Sequence, residues 1–508
     1  MLKRTEILSS KKERESSLAI IDLGSNSLRL VIYDALVRGR TILYEEKVSC
    51  GLGKNVNHTK LLETEIIDQA LLILQRFIGI CHNFSVSTVQ ILATAATRIA
   101  ENGQEFVSLI REKVAENVRI LSGEEEAHYA ALGVISSFCK PQGMVADLGG
   151  GSLEIIAIDA NQPTKGISYP LGGLILKDAA QNNLLKAKKI VRSCLEEDYS
   201  FLQALGEDFY AIGGTWRNLA RLHMQYENYP PSVLHGYAVD AMRMSQFLEE
   251  LIIDFGTTGK KLDLSNVAKK RRSLLPYGAI VLLELISKLE PKRIIFSGAG
   301  IRDGYFFSCL DEAEKRKDGF LCSIEKHAAK FNKFPDYIYS LLQWVDKSFK
   351  NLHIEETEEE IKCRKAVCLL ANIGWNYDAL YRAKQVAQQI IYTDFSGAVS
   401  HSDRIYIAYS LFLANGGANL MRKRMPHFSE RFLSKQSKKR ARLLAEFIQL
   451  AENFSAFSEK KLPLLRWKRT KKSVQLFIPK GEKLNAAFEE NLQKISRNLS
   501  VDVKQELY

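Results

Sequence analysis

Four short glycine turns follow apolar segments of this chain: Gly24-Ser25-Asn26-Ser27, Gly149-Gly150-Gly151-Ser152, Gly213-Gly214-Thr215 and Gly298-Ala299-Gly300. A glycine turn at a strand end lets backbone N–H groups approach an anion that a Cβ would hold off. One such turn means little. Four of them, two with an aspartate (Asp22, Asp147) just ahead of the glycine, point to phosphate. Glu154 follows Ser152 by two positions, and an aspartate and a glutamate beside a phosphate cradle suit magnesium, held partly through water. Two plainer readings stand beside this one: Asp147 as a turn aspartate bonded to its own backbone, and Glu154 as an outward strand residue. The segment LSGEEEA (121–127) sets three glutamates at a predicted helix start. They either cap the helix against its positive end or, because clustered carboxylates repel, include one with a raised pKa suited to a general base. Arg98 closes ATAATR at a predicted strand end. There it either clamps phosphate oxygens or opens a surface helix over 99–115.

These residues need elements to hold them. Residues 18–34 read as strand, turn, strand, and 143–159 repeat the design. With Asp22 laid on Asp147, the pattern D-L-G-x-x-S-L recurs at an offset of 125 residues. A repeat of this length predicts two similar α/β lobes, over 18–138 and 139–310, behind a charged tail over 1–17. Further strands are expected within 86–98 and 118–123, and helices over 61–80 and 124–138. Strand-to-helix units follow at 209–222 and 293–307. After Leu310 amphipathic helical patterns dominate, most clearly over 355–375, and predict a helical domain over 311–508.

Composition narrows the class. The chain has 508 residues, 46% hydrophobic and 26% charged, as expected of a soluble globular protein of several domains. Apolar content is too high, and proline too scarce at 11, for disorder to be the main state. No stretch is apolar enough to span a membrane, and the charged first seventeen residues do not read as a secretory signal. Eight cysteines without a C-x-x-C pair suggest reduced thiols and a cytoplasmic location rather than disulfides or zinc. The net charge of +12 is uneven. Residues 421–480 hold 17 Lys and Arg against 4 Asp and Glu, in runs at 421–424, 435–440 and 466–472. Such a segment is either a solvated face or a surface for a polyanion, and charge alone does not choose among nucleic acid, acidic lipid and a phosphate polymer.

In order along the chain, IIDLGSNSLRL, ATAATR, LSGEEEA, VADLGGGSLEI and FSGAGIRDG resemble the exopolyphosphatase/guanosine pentaphosphate phosphohydrolase (Ppx/GppA) family. The resemblance covers residues 18–500. It implies an α/β fold, an actin-like ATPase (ribonuclease H-like) two-lobe core, followed by an all-α, HD-like C-terminal domain. By match, Glu125 corresponds to the general base, with Glu126 the alternative left by the run of three. Asp147 and Glu154 correspond to the magnesium-holding pair. Gly24, Ser25, Asn26 and Ser27, with Gly149, Gly150, Gly151 and Ser152, correspond to the phosphate loops, and Arg98 to a phosphate-contacting arginine. Potassium as an activator and a homodimer come only from the resemblance. The expected His-Asp position of the C-terminal domain reads Ala371-Asn372, so no second metal dyad is expected, and His235 and His401 are expected to be structural.

The function this implies is hydrolysis of the terminal phosphate of linear inorganic polyphosphate. The basic run Arg466, Lys468, Arg469, Lys471 and Lys472 would be a track for the polymer. The alternatives are a pppGpp 5′-phosphohydrolase, an ATP-dependent kinase for a small acceptor, and a non-catalytic sensor of polyphosphate or alarmone. Neither a membrane nor a dedicated nucleic-acid partner is expected.

Overall fold

A computed structural model describes residues 17–508, except 115, 117, 197–205, 258–262, 396, 398, 418–427 and 471–472. Most of the charged tail, the 421–424 run, Lys471 and Lys472 therefore lie outside the described residues. The chain divides into two compact units near Lys317–Asp318, seven residues beyond the boundary expected at 310.

In the first unit the sequence repeat becomes a repeat of topology. Strands β1 (Leu18–Leu23) and β2 (Ser27–Tyr33) form a hairpin that β3 (Ile42–Ser49) extends. Strands β4 (Thr88–Ala93) and β5 (Val118–Ile120) add in parallel, giving the order β3-β2-β1-β4-β5. Strands β6 (Gly143–Leu148), β7 (Leu153–Asp159) and β8 (Gln162–Tyr169) repeat that meander. Strand β9 (Asp208–Ile212) then pairs parallel to β6. Strand β11 (Arg293–Phe296) pairs parallel to β9, and the short β10 (Tyr237–Asp240) closes the edge. This is the two-lobe actin-like arrangement. Apart from Asp22 and Asp147 near their ends, the central strands β1 and β6 are apolar because both of their faces are covered, whereas edge strand β3 alternates.

Two helices join the lobes. Helix α1 (Gly123–Ser137) and helix α2 (Ile301–Ser308) lie against each other, and their side chains share one buried cluster with residues of both sheets, among them Ile20, Tyr33, Val145, Ile156 and Phe306. A Cβ at Gly304 would collide with the Tyr129 carbonyl, so glycine lets the two helix backbones touch. The lobes are therefore not the simple consecutive segments 18–138 and 139–310, because α1 precedes residue 139 yet packs on α2 and on β8, β7 and β6.

The segment 86–98 is only partly strand. It ends as β4 at Ala93, where pairing with Leu23 stops, and Ala95–Ile99 turns into a short helix carrying Arg98. The helix expected over 355–375 runs Glu358–Leu369, started by a capping box between Thr357 and Glu360.

The second unit is helical around one apolar core but is not all-α. Strands β12 (Arg466–Arg469), β13 (Val474–Ile478) and β14 (Val503–Leu507) form a small sheet, with β12 antiparallel and β14 parallel to β13. Its signal was a period of two hidden inside a basic run: Trp467 is buried between exposed Arg466 and Lys468, and β13 alternates likewise. Among the described residues no helix is long and apolar enough to cross a membrane.

Candidate active site

The two hairpin turns face one another across a cleft of about 200 Å³ in the first unit. Each turn is built the same way. The Gly24 N–H donates to the Ser27 carbonyl (3.2 Å), and the Gly149 N–H donates to the Ser152 carbonyl (3.0 Å). Gly213 and Gly214 supply a third side and Gly298 and Gly300 a fourth. Gly213 sits at φ +113° with no room for a Cβ beside the Leu148 carbonyl, so only glycine fits there. All eight expected loop residues, Gly24 to Ser27 and Gly149 to Ser152, line the cleft.

The repeat also places charges opposite one another. In the first hairpin Asp22 pairs in register with Arg29, and its carboxylate is ion-paired with Arg302 at 3.2 Å. In the second, half-buried Asp147 pairs in register with buried Glu154, so two carboxylates face each other where opposed like charges destabilise a sheet. Burial pushes the Asp147 carboxyl up to about 6, and Asp22 adds to the shift against the pull of Arg217 and Arg302. Burial likewise pushes Glu154 up to about 7, with Asp147 adding and hydrogen bonds from Ser152 and Ser168 opposing. The Ser168 hydroxyl donates to Glu154 at 2.9 Å. Among the described residues no three His, Cys, Asp or Glu side chains form a complete metal site. Asp147 and Glu154 therefore fit a magnesium ion only as a partial ligand set, with water and substrate oxygens completing the shell.

The structure separates the three glutamates of helix α1. Ser122 caps the helix, and the Glu125 carboxylate returns to the Ser122 N–H (2.8 Å). Glu125 also pairs with Arg119 at 2.5 Å and does not line the cleft. Partial burial raises its pKa, but the Ser122 and Arg119 bonds outweigh that and hold it below the ordinary value. The expectation that Glu125 faces the phosphates is therefore corrected: the capping box turns it outward. Glu126, one position and about 100° further round the helix, is the buried glutamate that lines the cleft. Burial raises its pKa well above the usual value, the Glu154 and Asp147 charges add to this, and Arg98 opposes it.

Arg98 also differs from expectation. It lies behind Glu126 rather than in the cleft wall, ion-paired to the Glu126 carboxylate while its Nη1 donates to the Leu121 carbonyl at 2.7 Å. Its place one turn into a helix, rather than at the strand end, carries it past the phosphate loops.

Five cleft cations escaped the motif reading: Arg29, Lys47, Arg217, Arg271 and Arg302. Burial, then mutual repulsion with Arg302, pulls both Arg29 and Arg217 down to about 10. Burial and four neighbouring arginines pull Lys47 to about 8. Cations that depress one another in this way are set to receive an anion of several charges. Two carried a signal: Arg217 follows Gly213-Gly214 and Arg302 follows Gly300, each near a helix start beside a glycine turn. Lys47 lies on the edge strand, where alternation alone does not reveal what its face meets.

On the second unit, a separate groove of about 950 Å³ is lined by Lys347, Lys350 and His353 with Arg466, Lys468 and Arg469. Three of the five expected track residues thus lie together, joined by basic residues from helix Pro335–Asn351 and the residues after it. Arg469 donates to the Leu352 carbonyl at 3.0 Å, tying the strand to that helix end.

Comparison with known proteins agrees with this architecture. Over 433 residues the chain is 25% identical to Retrograde regulation protein 2 of Saccharomyces cerevisiae, covering 78% of this chain and 72% of the yeast protein. It is 23% identical to a guanosine-5′-triphosphate,3′-diphosphate pyrophosphatase of Pseudoalteromonas atlantica, covering 63% of each chain. In fold it is similar to an exopolyphosphatase from Cytophaga hutchinsonii, at 21% identity and a TM-score of 0.52 over 58% of this chain and 98% of that one. Residues 322–495 match the C-terminal domain of exopolyphosphatases. Residues 31–313, which hold the second hairpin turn, the opposed carboxylates and four of the five cleft cations, match the Ppx/GppA phosphatase family, and the chain belongs to that family.

Proposed function

We propose that the protein is an exopolyphosphatase, cleaving the terminal phosphate from linear inorganic polyphosphate with water to release orthophosphate. One observation carries the reading: Glu126, Asp147 and Glu154 lie in one cleft with five cations, between two matched phosphate turns. The terminal phosphoryl group would lie between the turns, its oxygens met by their N–H groups. Arg29, Arg217, Arg271 and Arg302 would hold the following phosphates. Glu126 takes a proton from the attacking water as its oxygen bonds to phosphorus and the bridging P–O bond breaks, leaving the chain one unit shorter. Arg98 draws the pKa of that carboxyl down against burial and the Glu154 and Asp147 charges, which raise it. Magnesium at Asp147 and Glu154 would supply positive charge to the phosphoryl oxygens.

The basic groove of the second unit supports a polymer over a nucleotide, because a chain of phosphates reaches beyond one cleft. Replacing Arg466, Lys468 and Arg469 by glutamine is expected to raise KM for long polyphosphate by about tenfold or more at low salt. It should flatten the salt dependence and leave tripolyphosphate within about twofold. Equal losses on both substrates would remove the groove from substrate binding. The pppGpp phosphohydrolase reading draws support from the Pseudoalteromonas relative and uses the same cleft. A regulatory reading draws on the name of the yeast relative, but a site that only binds anions gains nothing from three carboxylates lining it.

A further inference from the structure

We propose that His235 is a positioning residue of the cleft: its Nδ1 fixes the fourth glycine turn, and the turn in turn fixes Arg217. The Gly298 N–H donates to His235 Nδ1 at 3.0 Å, and the Gly298 carbonyl accepts from Arg217 Nη1 at 3.2 Å. One residue, Gly298, thus links the imidazole to a half-buried cleft arginine through its two flanking peptide groups. The rest of the turn is also held: Ser297 is fully buried, and its hydroxyl donates to the Ala299 carbonyl at 2.9 Å.

The imidazole is placed by its neighbours. Gly236, at φ +82°, donates to the Phe296 carbonyl at 3.0 Å, and Tyr237 then pairs in register with Phe296 on β11. His235 therefore enters from the strand alongside the turn it supports, and its ring packs on Phe138 at 4.9 Å between centroids. Because the partner is a backbone N–H, Nδ1 is the unprotonated nitrogen of the ring. Arg217 needs such support. It is repelled by Arg302, Arg221 and Arg271 and attracted by Asp147, and the fixed Gly298 carbonyl sets where between them its guanidinium rests.

This rests on the proposed reading that the cleft takes a phosphate chain, so the test reads binding without turnover. Inorganic tripolyphosphate is titrated calorimetrically into the full chain without divalent cations. His235→Ala is expected to weaken binding about tenfold. His235→Asn, whose amide oxygen falls near the Nδ1 position, should stay within about threefold of the natural protein. His235→Gln, whose amide reaches toward Nε2, should resemble alanine. In an Arg217→Met background, His235→Ala should cost nothing further, because the two act as one unit. Asparagine no better than glutamine, or fully additive losses with Arg217→Met, would overturn the proposal, even if the alanine variant folds poorly. No binding by the natural protein would overturn the cleft assignment instead.

Discussion

Glu126→Gln is expected to lower kcat for orthophosphate release by about 10²–10⁴-fold with KM little changed, because the carboxylate that takes the proton is lost while the cation wall remains. Glu125→Gln should leave kcat within about twofold. Its cost falls on the helix, since the capping box and the Arg119 pair lose a charge, worth about 1 kcal/mol. The pair of variants separates neighbours that the sequence alone could not. A large kcat loss at Glu125 with normal turnover at Glu126 would reverse the assignment. The buried ion pair predicts a further sign: Arg98→Met should push the apparent base pKa of kcat upward, since Arg98 is what opposes burial and the Glu154 charge at Glu126.

Glu154→Gln is expected to abolish most activity and yet make the protein more stable without magnesium. Burial and the opposed Asp147 raise the Glu154 pKa to about 7. The native state therefore binds a proton that the unfolded chain, with the ordinary glutamate value, does not hold between about pH 4.5 and 7. Its contribution to stability falls as pH rises through that window. At pH 8 the glutamine variant should gain on the order of 2 kcal/mol over the natural protein, and at pH 4 nothing. Ser168 can still donate to the amide oxygen, so no hydrogen bond need be lost. Magnesium should raise the melting temperature of the natural protein at pH 8, less so at pH 6 where protons compete, and hardly at all for Glu154→Gln. A variant less stable than the natural protein at pH 8, or equally stabilised by magnesium, would remove the opposed pair as the cation site.

The repeat was the most legible part of the chain. D-L-G-x-x-S-L at two places, 125 residues apart, carries the hairpins, the turns and the topology of both sheets, because short glycine turns between apolar strands leave few alternatives. The opposed carboxylates were legible only through the family resemblance: the repeat sets Glu154 where the first copy has Arg29 but leaves open which face it takes. The glutamate run was not. Three consecutive glutamates at a helix start point in three directions about 100° apart, and which one faces inward depends on where the cap falls. Ser122 as cap settles it, sending Glu125 back to the helix end and Glu126 into the cleft. As a group the cation wall was hidden for a different reason, although Arg217 and Arg302 each sit near a helix start beside a glycine turn. Arg29, Lys47, Arg217, Arg271 and Arg302 come from strands and helices far apart in sequence, and only the closed fold gathers them. The small sheet of the second unit was missed because strands of four and five residues lay within a segment whose charge dominated its pattern.

The most direct measurement is orthophosphate release from long-chain polyphosphate and from pppGpp, side by side, with magnesium and potassium present and with Glu126→Gln as the control. A kcat/KM for polyphosphate well above that for pppGpp is expected, lost in the variant. Release mainly from pppGpp would keep the cleft and contradict the polymer substrate. Release that survives Glu126→Gln, or none from a folded protein, would contradict the site itself.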